Sequence, residues 1–152
     1  MDYKIELTEQ PAQPVLSIRT RTSVGNLPKE LGRAYQTIAE YLNEIGEQPA
    51  GAPFTAYYNM DMENLDVEIG FPVSKVLEGK DEIKASQIPS GKQVSCMHQG
   101  PYEASVAAYD VMSKWVMEKG YVPTGVAYEF YFNSPVEVPE SELLTKIVFP
   151  LK

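Results

Sequence analysis

Two places in the chain hold groups that could do chemistry. The first is Gly125-Val126-Ala127-Tyr128-Glu129-Phe130-Tyr131-Phe132-Asn133-Ser134-Pro135. Rich in aromatic residues, it reads as a strand that Pro135 ends, because proline has no amide proton for a ladder. Glu129 is its only acid. An ionised carboxylate among Tyr128, Phe130, Tyr131 and Phe132 loses hydration and needs a cation or several donors in exchange. The expected partner is a ligand that brings positive charge and apolar surface together. The second place is Cys96 with His98, two apart and so on one face of a strand, a thiol and an imidazole that could act as nucleophile and base. Strand neighbours two apart lie about 7 Å from each other, too far for a short hydrogen bond, and no third residue orients the imidazole. One Cys and one His make no metal cluster, and neither Gly79-Lys80 nor Gly91-Lys92 has the upstream glycine of a phosphate loop. No cofactor is expected.

The composition narrows the partners. The 152 residues suffice for one domain with a substantial core, and 43% hydrophobic with 22% charged residues is ordinary for a globular chain. A net charge of −8 argues against direct nucleic-acid binding, which needs clustered Lys and Arg, and against anionic membranes. The start, Met1-Asp2-Tyr3-Lys4-Ile5-Glu6, has no basic region followed by an apolar run, and the apolar runs are short of a membrane span. With a single cysteine and no sign of secretion, a cytoplasmic protein is expected.

The elements that must position Glu129 follow from periodicity. Tyr3, Ile5 and Leu7 alternate with polar residues in a half-buried strand, and Val15–Thr22 reads as its continuation after a bend. Asn26 is placed to cap a helix and Pro28 sits in its first turn; Leu31, Tyr35, Ile38, Leu42 and Ile45 make its apolar stripe, and Gly46 stops it. Phe54–Met60 and Leu65–Phe71 form a hairpin around Asp61–Asn64, with Leu65, Val67, Ile69 and Phe71 on one face and Asp66, Glu68 and Gly70 on the other. Residues 74–91 look like a connector. Lys92–Gln99 reads as a strand. Gly100-Pro101-Tyr102-Glu103 opens a second helix striped by Tyr102, Val106, Tyr109, Ser113 and Val116 and stopped by Gly120. After the Glu129 strand and a Pro/Glu-rich loop, Leu143–Phe149 closes the chain.

The halves repeat. A shift of 74 places Ala34-Tyr35 on Ala108-Tyr109, Tyr41 on Trp115, Gly46 on Gly120, Tyr57 on Tyr131 and Asn59 on Asn133; a shift of 78 places Ile69 on Ile147 and Phe71-Pro72 on Phe149-Pro150. The expected organisation is repeat one at about 1–73, a connector at about 74–91 and repeat two at about 92–152. Two tandem strand–helix–strand–strand modules give an α+β fold: an antiparallel sheet, two main helices, a pseudo-twofold axis and a ligand cleft at that axis. The repeat breaks at Glu129, which falls on Thr55, so the scaffold does not require the acid. A hairpin closing at Asp61–Asn64 sets Tyr57 roughly opposite Glu68, and one face then carries Glu68, Tyr57, Glu129 and Tyr131. Acid and tyrosine together suit a lipophilic cation. The plainer alternatives are a solvated Glu129 on an open sheet face, a structural Glu68 in a regular strand, and a core Trp115.

These pieces carry a family likeness. Pro53-Phe54-Thr55-Ala56-Tyr57-Tyr58-Asn59-Met60-Asp61, Asp66-Val67-Glu68-Ile69-Gly70-Phe71-Pro72-Val73, Gly100-Pro101-Tyr102-Glu103 and Tyr128–Pro135 resemble the GyrI-like small-molecule-binding domains, also found as effector domains of AraC-type and MerR-type regulators. The resemblance implies two fused modules, a cleft for hydrophobic and often cationic compounds, and a key acid falling on Glu129. Some stand-alone members resemble hydrolases of cyclopropane-bearing natural products in which that acid assists water; others resemble proteins that bind DNA gyrase. No helix-turn-helix segment is evident here, unlike in the regulators. The expected function is capture or sensing of a hydrophobic, cationic or aromatic compound, through Glu129, Tyr131, Tyr57, Glu68, Trp115 and Tyr102. The alternatives are a hydrolase using Glu129 and an interaction protein acting on gyrase or on a DNA-binding regulator.

Overall fold

A computed structural model of the chain describes residues 3–134 and 136–152. Pro135, read as a strand stop, lies outside the described residues. The elements run β1 (Glu6–Gln10), β2 (Gln13–Thr22), α1 (Leu27–Glu44), β3 (Phe54–Tyr57), β4 (Leu65–Pro72), β5 (Lys84–Ile88), β6 (Gly91–Gln99), a 3-10 turn (Tyr102–Ser105), α2 (Val106–Glu118), β7 (Ala127–Tyr131), a second 3-10 turn (Glu140–Glu142) and β8 (Leu144–Pro150). The fold class is α+β with antiparallel strands, as expected.

The chain divides into two compact units. One runs from Ala12 to Pro89; the other joins the chain up to Pro11 with everything from Ser90 onward. In the first, β3, β4, β2 and β5 pair antiparallel in that order. In the second the order is β1, β6, β8, β7. The outer strands are therefore exchanged relative to the linear repeat. β1 pairs with β6 rather than continuing into β2, and the segment expected as a connector contains β5, which pairs with β2. Pro11 and Pro14 bend the chain between β1 and β2, and alternation fixes which face a strand buries but not which strand it meets.

The repeat reappears in the ladders. Ser17 faces Gly70 and Ser95 faces Val148; Thr55 faces Ile69 and Glu129 faces Ile147. Each helix covers one face of the strands of its own unit. Ala34, Ile38 and Leu42 of α1 pack with Leu16, Ile18, Leu65, Val67 and Ile69. Ala108, Met112 and Val116 of α2 pack with Val94, Cys96, Ile147 and Phe149. Asn59 and Asn133 close their hairpins identically. Asn59 accepts from the Asp66 amide and donates to the Asn64 carbonyl; Asn133 does so with Leu144 and Glu142.

Helix starts depart from expectation. Asn26 occupies the N-cap position without a side-chain cap bond. Pro101 is extended (φ −58°, ψ 148°), and its carbonyl accepts from the Ala104 amide, so the second helix opens with a 3-10 turn and α2 begins at Val106. The stops agree. Gly46 and Gly120 lie at φ +74° and +78°, and the amides of the residues after them, Glu47 and Tyr121, reach back to the carbonyls of Leu42 and Val116. These are Schellman closures, which need a left-handed residue. No atom lies within 4 Å of where a Cβ would stand at either glycine, so backbone strain is the main cost of adding one. Gly46→Ala and Gly120→Ala should each lower stability by about 1 kcal/mol in urea unfolding, with an unchanged m-value.

Candidate functional site

Glu129 lies on β7 with its side chain on the face that α2 covers, because its ladder partner Ile147 belongs to the α2 core. The carboxylate is half-buried and accepts two phenolic hydrogen bonds. Tyr109 Oη, from α2, donates to Oε2; Tyr131 Oη, two residues along β7, donates to Oε1 at 2.9 Å. No Lys or Arg nitrogen among the described residues lies within ion-pair distance. Burial pushes the carboxyl above its ordinary value of 4.5, while the hydroxyls of Tyr109 and Tyr131 and the nearby His98 pull the other way and only partly offset it.

Aromatic and polar groups surround this carboxylate. The Tyr102 ring, on the 3-10 turn, stands edge-on to Tyr131 with centroids 5.7 Å apart. Its hydroxyl is held above its usual range by burial and by the charge of Glu129, so it stays a neutral phenol. The turn carrying Tyr102 is tied down by His98, whose Nε2 lies 3.0 Å from the Pro101 carbonyl. Nε2 must carry a proton to donate to that carbonyl, and Nδ1 lies 3.1 Å from Tyr3 Oη. The N-terminal segment, His98 and the Tyr102 turn thus form one chain of contacts.

The sequence-predicted residues divide. Glu129, Tyr131 and Tyr102 come together within one unit. Trp115 stands apart on α2, its ring stacked on Tyr121 at 6.1 Å with Lys119 over it at 5.9 Å; it is six residues, about 9 Å along a helix axis, from Tyr109. Tyr57 and Glu68 belong to the other unit, and their expected pairing is corrected. Tyr57 faces Val67 and Glu68 faces Ala56, a register one residue away from that expected, so Glu68 points to the face opposite Tyr57. Glu68 is 5% exposed and accepts from Ser17 Oγ and Tyr58 Oη, each at 2.6 Å.

The sequence reading missed Tyr109 as a site residue, although the repeat carried a signal. Its counterpart Tyr35 reaches from α1 to the matching strand, donating to the Phe54 carbonyl and lying 3.1 Å from Thr55 Oγ1. The helix tyrosine therefore aims at the same strand position in both units, occupied by Thr55 in one and Glu129 in the other. Cys96 and His98 share a face, but His98 bonds elsewhere, and burial pushes the Cys96 thiol up to about 11. That thiol is a core group, not a nucleophile.

Among proteins of curated function, none matches the sequence. Among solved structures, EcmrR in its DNA complex aligns with 99% of this chain at 25% identity and a TM-score of 0.85; this chain spans 57% of the EcmrR chain. The EcmrR C-terminal domain by itself aligns over 100% of this chain and 99% of its own length, at 25% identity and a TM-score of 0.79. A hydrolase from Listeria innocua shares the fold over 98% of this chain and 92% of its own, at 16% identity and a TM-score of 0.74. SAV2435 bound to tetraphenylphosphonium shares it over 100% and 94%, at 12% identity and a TM-score of 0.70. The sequence matches the GyrI-like small molecule binding domain over residues 3–152, and the chain therefore belongs to that family.

Proposed function

We infer that this domain captures hydrophobic organic cations, with the Glu129 carboxylate as the charged contact and Tyr102, Tyr109 and Tyr131 as the aromatic one, and that it does so in the cytoplasm to sense or sequester them. One observation carries this reading: a half-buried acid solvated by two phenolic hydroxyls, with no Lys or Arg paired to it among the described residues and only His98 nearby. Phenols supply donors without supplying charge, so the acid keeps a negative charge that a guest can neutralise. Tyrosine rings add contact area and cation–π attraction. The bound tetraphenylphosphonium of SAV2435, a distant relative in fold, is a guest of this chemistry.

A hydrolase is the second reading. Burial makes Glu129 a stronger base than a free carboxylate, as proton abstraction from water requires. Both of its oxygens already accept from tyrosines, which leaves fewer lone pairs for a water and favours binding over turnover. Mass spectrometry separates the two: capture at one equivalent without product supports binding, and product in excess of protein supports hydrolysis.

Glu129→Gln tests the carboxylate. The amide keeps an acceptor for a tyrosine hydroxyl but removes the charge. The affinity for tetraphenylphosphonium should fall about 30-fold, roughly 2 kcal/mol, in isothermal titration. The same variant should melt at pH 7 no lower than the parent, because folding raises the carboxyl pKa and so disfavours the ionised form. An undiminished affinity removes Glu129 from the site.

The pH dependence has a definite sign. A raised pKa means that part of the free protein carries a proton on Glu129 above pH 4.5, the ordinary carboxyl value. A cation binds the ionised form and restores it, so binding releases protons in that window and weakens as pH falls through the raised value. Titrations in two buffers of different ionisation enthalpy should show proton release just above pH 4.5 and none well above the raised pKa; Glu129→Gln should show none at either.

A further inference from the structure

The Glu129 face contains a second departure from the repeat. Thr145 of β8 pairs with Tyr131 on one side and with His98 on the other, making a cross-strand row next to the row Glu129, Ile147, Cys96. Side chains in both rows point to one face. Thr145 is 1% exposed, and its Oγ1 has no hydrogen-bond partner among the described residues. The polar groups on either side are engaged: His98 with Tyr3 and Pro101, Tyr131 with Glu129. A buried hydroxyl left without a partner is destabilising, while an apolar group of the same shape there would not be.

The other unit holds that apolar group. The shift of 78 places Val67 on Thr145, and Val67 faces Thr20 and Tyr57 as Thr145 faces His98 and Tyr131. Val67 is fully buried. The scaffold is therefore satisfied by a β-branched hydrocarbon at this place. Around it three positions differ between the units: Thr20 against His98, Thr55 against Glu129, Val67 against Thr145. Two of the changes, to Glu129 and Thr145, raise hydrogen-bonding capacity or charge on one small area of sheet, the third puts an imidazole beside them, and Tyr35 and Tyr109 are common to both units.

We propose that Thr145 Oγ1 is a ligand contact beside Glu129, and that the guests of this domain are organic cations bearing a hydroxyl, ether or carbonyl group rather than hydrocarbon cations alone. This rests on the reading of Glu129 as the charged contact. Glu129 and Thr145 are diagonal neighbours across an antiparallel pair, about 7–8 Å apart, so one small guest can reach both. The threonine hydroxyl accepts from a ligand hydroxyl or donates to an ether or carbonyl oxygen, and gains the partner that the protein denies it.

A matched pair of probes tests this: tetraphenylphosphonium, and the same cation with a hydroxyl on one ring. Thr145→Val should weaken the hydroxylated probe about 10-fold in titration calorimetry and change the parent less than about 2-fold. Thr145→Ser should retain the preference. Without ligand, Thr145→Val should melt at the parent temperature or above it. A loss shared equally by both probes, no loss for either, or a clear drop in melting temperature would make Thr145 a structural residue and overturn the proposal. Glu129→Gln run alongside separates the two ideas: if that variant holds tetraphenylphosphonium as tightly as the parent, or if the parent holds neither probe, the charged-contact reading itself fails.

Discussion

The site depends on how one carboxylate is solvated. Glu129 is half-buried beneath aromatic rings, and the chain gives it two phenolic hydroxyls. A lysine or arginine in their place would have neutralised the charge and left nothing for a guest to do. Water alone would have left the acid hydrated and indifferent to an apolar cation. Two phenols keep the acid tolerable in the fold yet still short of its hydration, as its raised pKa records. The rest of the unit serves that geometry. The closure at Gly120 ends α2, the β7–β8 register turns Glu129 toward that helix, and Tyr109 on α2 reaches the carboxylate.

Duplication lets the protein act as its own control. Tyr35 and Tyr109 occupy equivalent places and reach equivalent strand positions, so the helix tyrosine is a property of the scaffold. What differs is the strand residue it meets. With Thr55 the tyrosine donates to a backbone carbonyl; with Glu129 it donates to a charge. A site built this way needed few changes, because the donor was already in position and the hairpin clamps, Asn59 and Asn133, hold both strands alike. The changes that matter fall on one face, where the chain departs from the apolar pattern that would bury it most cheaply.

Much of this was legible in the sequence because it rests on local rules. Helical stripes, glycine stops and alternating strands follow from short-range sterics; the family likeness was visible before any coordinates, and Glu129 stood out as the candidate acid. The misses are non-local. The register of the β3–β4 hairpin differs by one residue from that expected, and a one-residue slip moves a side chain to the other face, which is why Glu68 lies opposite Tyr57's face. The pairing of β1 with β6 and of β5 with β2 depends on strand choice across most of the chain, on which alternation is silent. Tyr109 read as one more member of a core stripe, since periodicity reports that a residue faces inward but not what its hydroxyl meets there. Thr145, between Leu144 and Lys146 in the closing strand, gave no signal until its row and its counterpart Val67 were known.

Among the described residues, Glu68 and Glu129 both lose exposure and accept two hydroxyl bonds each, and the two differ in the charge around them. Glu68 is the more deeply buried of the two, with Ser17 and Tyr58 as donors. Burial and donor count alone would rank it first. Arg19, however, lies 3.6 Å above the Tyr58 ring and is raised further above its usual range by Asp66 first and, more weakly, by Tyr58 and Glu68. Glu68 thus sits in the field of a resident cation that also binds Asp66 through two hydrogen bonds. An organic cation approaching Glu68 would meet Arg19 on the same patch and gain less there. Glu129 has donors and no guanidinium beside it, only the nearby imidazole of His98. On the proposed reading, what separates the two acids is the local balance of charge, which burial does not report.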